Sequence, residues 1–476
     1  MTISERLKKV IGDKKILTDR EYLICYSYDA TNLKVLPDAV TIPETIDDAV
    51  RILSFAEDEK IPVIPRGAGS GMSGGSIPVA GGIVLSTERL NKILEIDREN
   101  MIAIVEPGVI NGILQREVEL QGMFYPPDPA SLDFCTIGGN IAENAGGPRA
   151  LKYGVTRNYV LGLEVVLPGG KIINTGVRTL KGVVGYDLTG LMVGSEGTLG
   201  VITKAILRLL PLPEVVRTLS VSFEKMEGAI NAISKIISSR IIPRTFEFMD
   251  RPSIRAVRGY LSNQMQDARW QMADASCKMQ DIDAMLLIEV DGSVSSVTPD
   301  LERIAEICSD CGASDIKVAK DEDDCERLWK ERRAISPALY RISPTKINED
   351  IVVPRSHLAE MLRTLEKIGK DYRVNIVNFG HAGDGNIHVN IMTDKRVTDE
   401  YERAQMAVAE IFKEVLRLGG TISGEHGIGL TKRKYIGMEI GNVELELMRK
   451  IKKDFDPQNI LNPHKIFPPE TTGLEK

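Results

Sequence analysis

Pro65-Arg-Gly-Ala-Gly-Ser-Gly-Met-Ser-Gly-Gly75 is the stretch on which the fold turns. Gly69, Gly71 and Gly74 spell a formal GxGxxG, which in a dinucleotide-binding βαβ unit must open a helix after a strand. A strand signal does precede it, at Ile61-Pro-Val-Ile64, but Gly75, Pro78, Gly81 and Gly82 follow, and no long helix starts through them. The βαβ reading therefore fails on context. Successive N–H groups of permissive glycines can instead form an anion-binding nest, with Ser70 and Ser73 adding hydroxyl donors. Taken alone, the loop fits a plain turn between strands equally well.

Two further clusters shift that balance. Tyr125-Pro-Pro-Asp-Pro-Ala-Ser131 leads into Thr136-Ile-Gly-Gly-Asn-Ile-Ala-Glu-Asn-Ala-Gly-Gly147 and Lys152-Tyr-Gly154, and Gly190-Leu-Met-Val-Gly-Ser-Glu-Gly-Thr-Leu-Gly200 follows. Such density of small residues costs conformational entropy unless a backbone must approach something closely, as it would a flat bound ring system. Asn140 and Asn144, four apart, face together if they share a helical turn.

Outward from these clusters the chain reads as alternating strands and helices. Ala39–Pro43, 82–85, 93–96, 101–105, 161–167, 171–173, 200–203 and 205–210 are strand signals, and Thr45 caps an amphipathic helix to Ala56. Pro211-Leu-Pro213 punctuates a boundary, after which 217–223, 246–249 and 284–290 alternate with helical runs. A length of 476 residues exceeds one core and predicts two or three domains. The net charge of -7 offers no long-range attraction to a polyanion, so no nucleic acid partner is expected. The six cysteines, at 25, 135, 277, 308, 311 and 325, form no repeated CxxC framework, which argues against an internal iron-sulfur cluster. No signal-peptide core and no run of about 18 apolar residues is present, so a transmembrane segment is not expected and a reducing cytoplasm is.

Three of the five histidines lie in Asn378-Phe-Gly-His-Ala-Gly-Asp-Gly-Asn-Ile-His388 and Gly424-Glu-His-Gly427. Strand 374–379 delivers His381 into a Gly-Asp-Gly turn, and the return strand from Asn386 places Asn386, His388 and Asn390 on one face, facing a polar cleft if the opposite apolar side is core. Two imidazoles and a carboxylate suit a borderline divalent ion such as Zn2+, Mn2+ or Fe2+. The spacing matches neither a zinc finger nor HExxH, so a structural hydrogen-bond cluster remains the alternative.

In order and spacing these segments resemble the FAD-binding family of the vanillyl-alcohol oxidase and p-cresol methylhydroxylase type. More narrowly, they resemble the branch of FAD-linked D-2-hydroxy acid dehydrogenases that also contains the flavin-binding D-type chain of glycolate oxidase. The resemblance implies an α+β fold: a two-part FAD-binding domain (1–214), an α+β substrate or cap domain (215–420) and a C-terminal helical segment (421–476) returning to the flavin site. It assigns FAD to Gly67, Ala68, Gly69, Ser70, Gly71, Gly74, Gly75, Asp128, Ser131, Thr136, Gly138, Gly139, Asn140, Asn144, Gly147, Gly154, Gly197, Gly200 and Ile202. No histidine precedes His357, which argues for noncovalent flavin, although Cys135 leaves a cysteinyl link chemically possible.

The same resemblance makes His381, His388 and Glu425 metal ligands and His426 the general base. Arg332, in Leu328-Trp-Lys-Glu-Arg-Arg333, becomes a carboxylate clamp, against the alternative of a solvated basic helix. Lys346 and Asn462 are further substrate-binding candidates, Lys346 the weaker because the loop around it departs from the hydroxyglutarate pattern, while His464 stands where a glycine is more usual. The implied activity is oxidation of D-lactate to pyruvate, with glycolate or D-2-hydroxyglutarate as alternatives within the same chemistry. Electrons would pass to a partner, either electron-transferring flavoprotein or the flavin and iron-sulfur subunits of a glycolate oxidase. A nonredox flavoprotein like alkyl-glycerone-phosphate synthase is the alternative from another class, and a noncatalytic FAD-binding assembly subunit is a third.

Overall fold

The computed structural model describes residues 3–264 and 282–468, so Cys277 lies outside the described residues. Two compact units emerge. One comprises Met1–Gly146, Gly154–Leu212 and Glu425–Lys476, and the other Gly147–Tyr153 and Pro213–Gly424.

In the first unit, Ala39–Thr41, Ile83–Ser86 and Val63–Arg66 pair in parallel, with Ile16–Leu17 antiparallel at one edge. The crossover is helix Ile46–Glu59. Thr45 and Asp48 close a capping box at its start, Lys60 ends it in the left-handed region, and Ala49, Ile52, Leu53 and Ala56 turn inward. A five-stranded antiparallel sheet runs in the order Ile93–Asp97, Ile102–Val105, Val201–Arg208, Val160–Val166, Ile172–Gly176.

The C-terminal helix Asn442–Phe455 leads back to the strand that feeds the first glycine loop. Val63 N donates to Ile460 O (2.8 Å), and Asn462 N donates to Val63 O (2.8 Å). Asp456 fixes this return by accepting from Ile460 N and Leu461 N. The glycine loop therefore begins from a strand held on both sides.

The second unit is built on a seven-stranded antiparallel sheet. Its order is Ala313–Val318, Val215–Phe223, Ala284–Gly292, Thr245–Asp250, Asn375–His381, Asn386–Thr393, Thr345–Val352. Register decides what each face carries, because side chains alternate along a strand. Leu287, Met249, Val377, Phe379 and Met392 share one face and pack under Ile254 and Val257 of helix Arg251–Gln264 and Ile335, Ala338 and Leu339 of helix Ile335–Leu339. Further along the strands that same face carries Glu289, Glu247, His381, His388 and Asp350. Half of one sheet face is thus apolar core and half is a buried polar field.

Candidate active site

In the first unit the three glycine clusters line one cavity. Gly67 to Gly71, Gly75, Ser131, Thr136, Gly138 to Asn140, Gly197, Gly200 and Ile202 all reach it. Thr136 caps helix Ile137–Glu143 by accepting from Gly139 N (3.2 Å), so the helix opens toward the cavity with its N–H groups. Close approach explains the glycines: a Cβ on Gly67 would stand 2.2 Å from Thr136 Oγ1, and one on Gly138 2.6 Å from Pro107 Cβ. The amide nitrogen of Asn140 is buried without a hydrogen-bond partner. A cradle that side chains would fill, with a donor held in reserve, fits a large polar cofactor.

Other expected residues stand elsewhere. Gly74, Asp128, Asn144 and Gly154 do not line the cavity, and Gly147 belongs to the second unit. Asn144 does not share a helical face with Asn140, because the helix ends at Glu143 and Asn144 turns left-handed, accepting from Arg157 N at 2.9 Å. The Asn462 amide donates to Gly75 O (2.8 Å) and Glu196 O (2.7 Å), and its oxygen accepts from Lys465 at 3.0 Å. Its polar atoms brace two glycine loops against each other.

Glu425 and His426 also line this cavity, and Gly146 makes room for them, since a Cβ there would lie 2.5 Å from Glu425 Oε2. The turn that follows rests on two carboxyls that the sequence did not single out. Glu196 accepts from Ile428 N (2.8 Å) and Gly429 N (2.7 Å), and Glu143 faces Gly427, its stem lining the cavity while Oε2 is sealed from solvent. Burial and the negative charge of Glu196 push the Glu143 carboxyl well above the usual range. Burial raises the Glu196 carboxyl as well, against the pull of the two N–H groups that it accepts from.

In the second unit the hairpin of strands Asn375–His381 and Asn386–Thr393 brings the His381 and His388 rings edge to face, their centroids 5.1 Å apart. Each ring turns Nδ1 to a buried carboxylate from the strand outside it. His381 Nδ1 bonds Glu247, and His388 Nδ1 lies 3.5 Å from Asp350 Oδ1. Both histidines are buried.

Arg332 enters this field from helix Glu322–Arg333. Its Nε donates to Glu247 Oε2 at 2.7 Å, Nη2 lies 2.5 Å from the same oxygen, and the guanidinium sits 4.7 Å from the Phe379 ring centre. Arg333, one residue on, pairs with Glu326 at the surface. The helix is therefore no merely solvated basic face: Trp329 Nε1 also donates inward, to Glu289 Oε1 at 2.6 Å. Burial alone would raise the Glu247 carboxyl, but Arg332 and then His381 reverse that and hold it at about 2.

Lys346 lies on the same face but opposite Met392, two cross-strand rows beyond the His388–Asp350 pair. Its ammonium donates to Ser336 Oγ at 2.6 Å, and burial lowers its pKa to about 8. Asp350 additionally accepts from Asn386 Nδ2 (2.6 Å) and from Gly424 N (3.0 Å). It thereby fixes the residue that immediately precedes Glu425 and His426 in the chain.

Residues 37–176 match the FAD binding domain family, and residues 212–466 match the family of FAD linked oxidases, C-terminal domain. The chain belongs to the FAD-linked oxidases. It is 45% identical to glycolate oxidase subunit GlcD of Bacillus subtilis over 98% of this chain and 96% of that one. With D-lactate dehydrogenase of Archaeoglobus fulgidus it shares 39%, over 93% and 95%. Its fold matches p-cresol methylhydroxylase with substrate bound at a TM-score of 0.79 and 20% identity, covering 97% of this chain and 95% of that one. This FAD-linked oxidase thus has the two-domain FAD-binding architecture of mixed helices and sheets, and it is an FAD-dependent hydroxy acid dehydrogenase of the D-lactate dehydrogenase and glycolate oxidase group. Among the described residues no helix is long and apolar enough to cross a membrane.

Proposed function

We propose that this FAD-linked oxidase oxidises D-lactate to pyruvate in the cytoplasm and hands the electrons to a partner protein. The observation that carries the reading is the buried Arg332–Glu247–His381 chain beside His388, which sets a fixed cation next to two imidazoles on an otherwise closed sheet face. Arg332 uses Nε and Nη2 on Glu247, so the fork's remaining edge serves a substrate carboxylate. Phe379, beneath the guanidinium and 5.4 Å from the His388 ring, offers apolar ground for a methyl group on C2. That contact favours lactate over glycolate.

His381, His388 and Glu425 are the proposed ligands of a divalent ion, Zn2+, Mn2+ or Fe2+. What supports the donor set is that the His381 ring is backed at Nδ1 by Glu247, which directs Nε2 to a metal, and that the His388 ring has Asp350 Oδ1 3.5 Å from its Nδ1. When bound, such an ion supplies positive charge that makes an adjacent hydroxyl more acidic. FAD supplies the acceptor for two electrons and the C2 hydrogen. His426 takes the hydroxyl proton as general base. Gly424, held on Asp350, and Glu196, held on the turn after His426, fix the backbone on both sides of that base.

Electron-transferring flavoprotein, or flavin and iron-sulfur subunits of the glycolate oxidase kind, are the proposed acceptors. Glycolate remains the second reading, because the Bacillus relative is named a glycolate oxidase subunit. Anaerobic mixing of the metal-loaded protein with D-lactate, L-lactate, glycolate and D-2-hydroxyglutarate decides among them. D-lactate should bleach the flavin fastest and L-lactate not at all. Faster bleaching by glycolate would replace the substrate, and no bleaching by any acid would remove the activity.

A further inference from the structure

Glu247 touches both Arg332 and His381 in the polar field just described. It sits in strand Thr245–Asp250, directly opposite His381 in register, and is completely buried. Oε2 takes Nε and Nη2 of Arg332, and Oε1 takes Nδ1 of His381, so each oxygen serves a different partner. The guanidinium is fixed from the other side by the Phe379 ring.

We propose that Glu247 is a positioning residue that sets the tautomer of His381 and the orientation of Arg332 together, coupling metal binding to substrate-carboxylate binding. The inference rests on the proposed assignment of His381 to a metal and Arg332 to a carboxylate.

The chemistry follows from what a carboxylate does that an amide does not. An ionised carboxylate accepts at both oxygens, so it takes N–H from Arg332 on one side and from His381 Nδ1 on the other. That tautomer carries its lone pair on Nε2, the nitrogen with which His381 would hold a cation. A glutamine accepts at its oxygen only. If that oxygen stays on Arg332, the amide N–H2 points at His381 Nδ1, which becomes the acceptor, and the ring proton moves to Nε2, where it blocks coordination. If the oxygen turns to His381, the N–H2 faces Arg332 and the guanidinium is pushed off Phe379. Either arrangement damages one function, and neither preserves both.

The test uses the full-length FAD-loaded protein with Mn2+ as probe. Glu247→Gln should weaken Mn2+ binding by about 10- to 100-fold, the range for loss of a carboxylate behind a ligating histidine. It should also raise the KM for D-lactate more than it lowers kcat, while the visible FAD spectrum persists. Glu289→Gln is the control, because Glu289 is a buried carboxylate on the same face that serves Trp329 and Thr218 instead; its Mn2+ affinity should match the unmodified protein. Equal Mn2+ affinity in Glu247→Gln and the unmodified protein overturns the inference even if D-lactate bleaches the flavin. Conversely, a lowered Mn2+ affinity with no bleaching by any hydroxy acid upholds the positioning role and removes the proposed activity. Should Glu247→Gln aggregate, 15N-histidine NMR of the unmodified protein, simple with five histidines, reads the tautomer directly. Protonation of His381 at Nδ1 supports the role, and protonation at Nε2 overturns it.

Discussion

Replacing Gly380 by alanine tests the hairpin that pairs the two histidines. A Cβ there would lie 2.5 Å from Asn386 O, 3.1 Å from Ile387 Cα and 3.2 Å from His388 N. All three are backbone atoms of the partner strand, so no rotamer change relieves the contact. That strand is itself pinned, since Asn386 Nδ2 donates to Asp350 Oδ1 at 2.6 Å and eight register pairs tie Asn386–Thr393 to Thr345–Val352. The hairpin must open or distort. Overpacking costs ~1–3 kcal/mol and a weakened ladder bond about 1 kcal/mol more, for a total on the order of 2–4 kcal/mol. In a unit of about 220 residues that corresponds to a fall in Tm on the order of 5–15 °C. Differential scanning calorimetry reads the shift, and Mn2+ titration should show weaker binding because the two rings separate. An unchanged Tm together with unchanged Mn2+ affinity would refute the strand register from which the histidine pair is argued.

Gly67→Ala should lower FAD occupancy of the purified protein, because its Cβ collides with Thr136 Oγ1; adding Thr136→Ala should restore part of the loss, although it removes a helix cap worth ~1 kcal/mol. Asp250, fully buried, is pushed up from 3.8 to about 7 by burial. The folded state then holds a proton that the unfolded state releases, so this contribution is complete below about pH 4 and declines by a few kcal/mol as pH rises toward 7. Unfolding measured from pH 4.5 to 7.5 should lose that component of its slope in Asp250→Asn, and an identical profile in the two proteins would contradict it. His426→Ala should retain the FAD spectrum but slow bleaching by D-lactate by about 100-fold or more, as expected for loss of a general base; rapid-mixing absorbance checks it.

The glycine clusters were legible because tight backbone approach leaves few residue types to choose from, and most of them do line one cavity. The histidine hairpin was legible for a similar reason: period-two alternation around a Gly-Asp-Gly turn leaves little freedom of register. Asn144 misled because spacing cannot show that a helix stops at Glu143. Glu247 and Asp350 escaped notice because their partners come from strands and a helix far away in sequence. A signal for Glu247 was nonetheless present, as a lone charge inside Phe246-Glu-Phe-Met249 has to be paired when the strand is buried. Ala313–Val318 and Thr345–Val352 gave no strand reading; they are the two edges of the sheet, where partial exposure relaxes the alternation of polar and apolar residues.

The central claim, that the cavity's flavin is reduced by a D-2-hydroxy acid, is met most directly by an anaerobic single-turnover titration with D-lactate and quantitation of pyruvate. One pyruvate should form for each FAD bleached, and none from L-lactate. Bleaching without pyruvate, or an oxidised flavin after excess D-lactate, glycolate and D-2-hydroxyglutarate, would contradict the account.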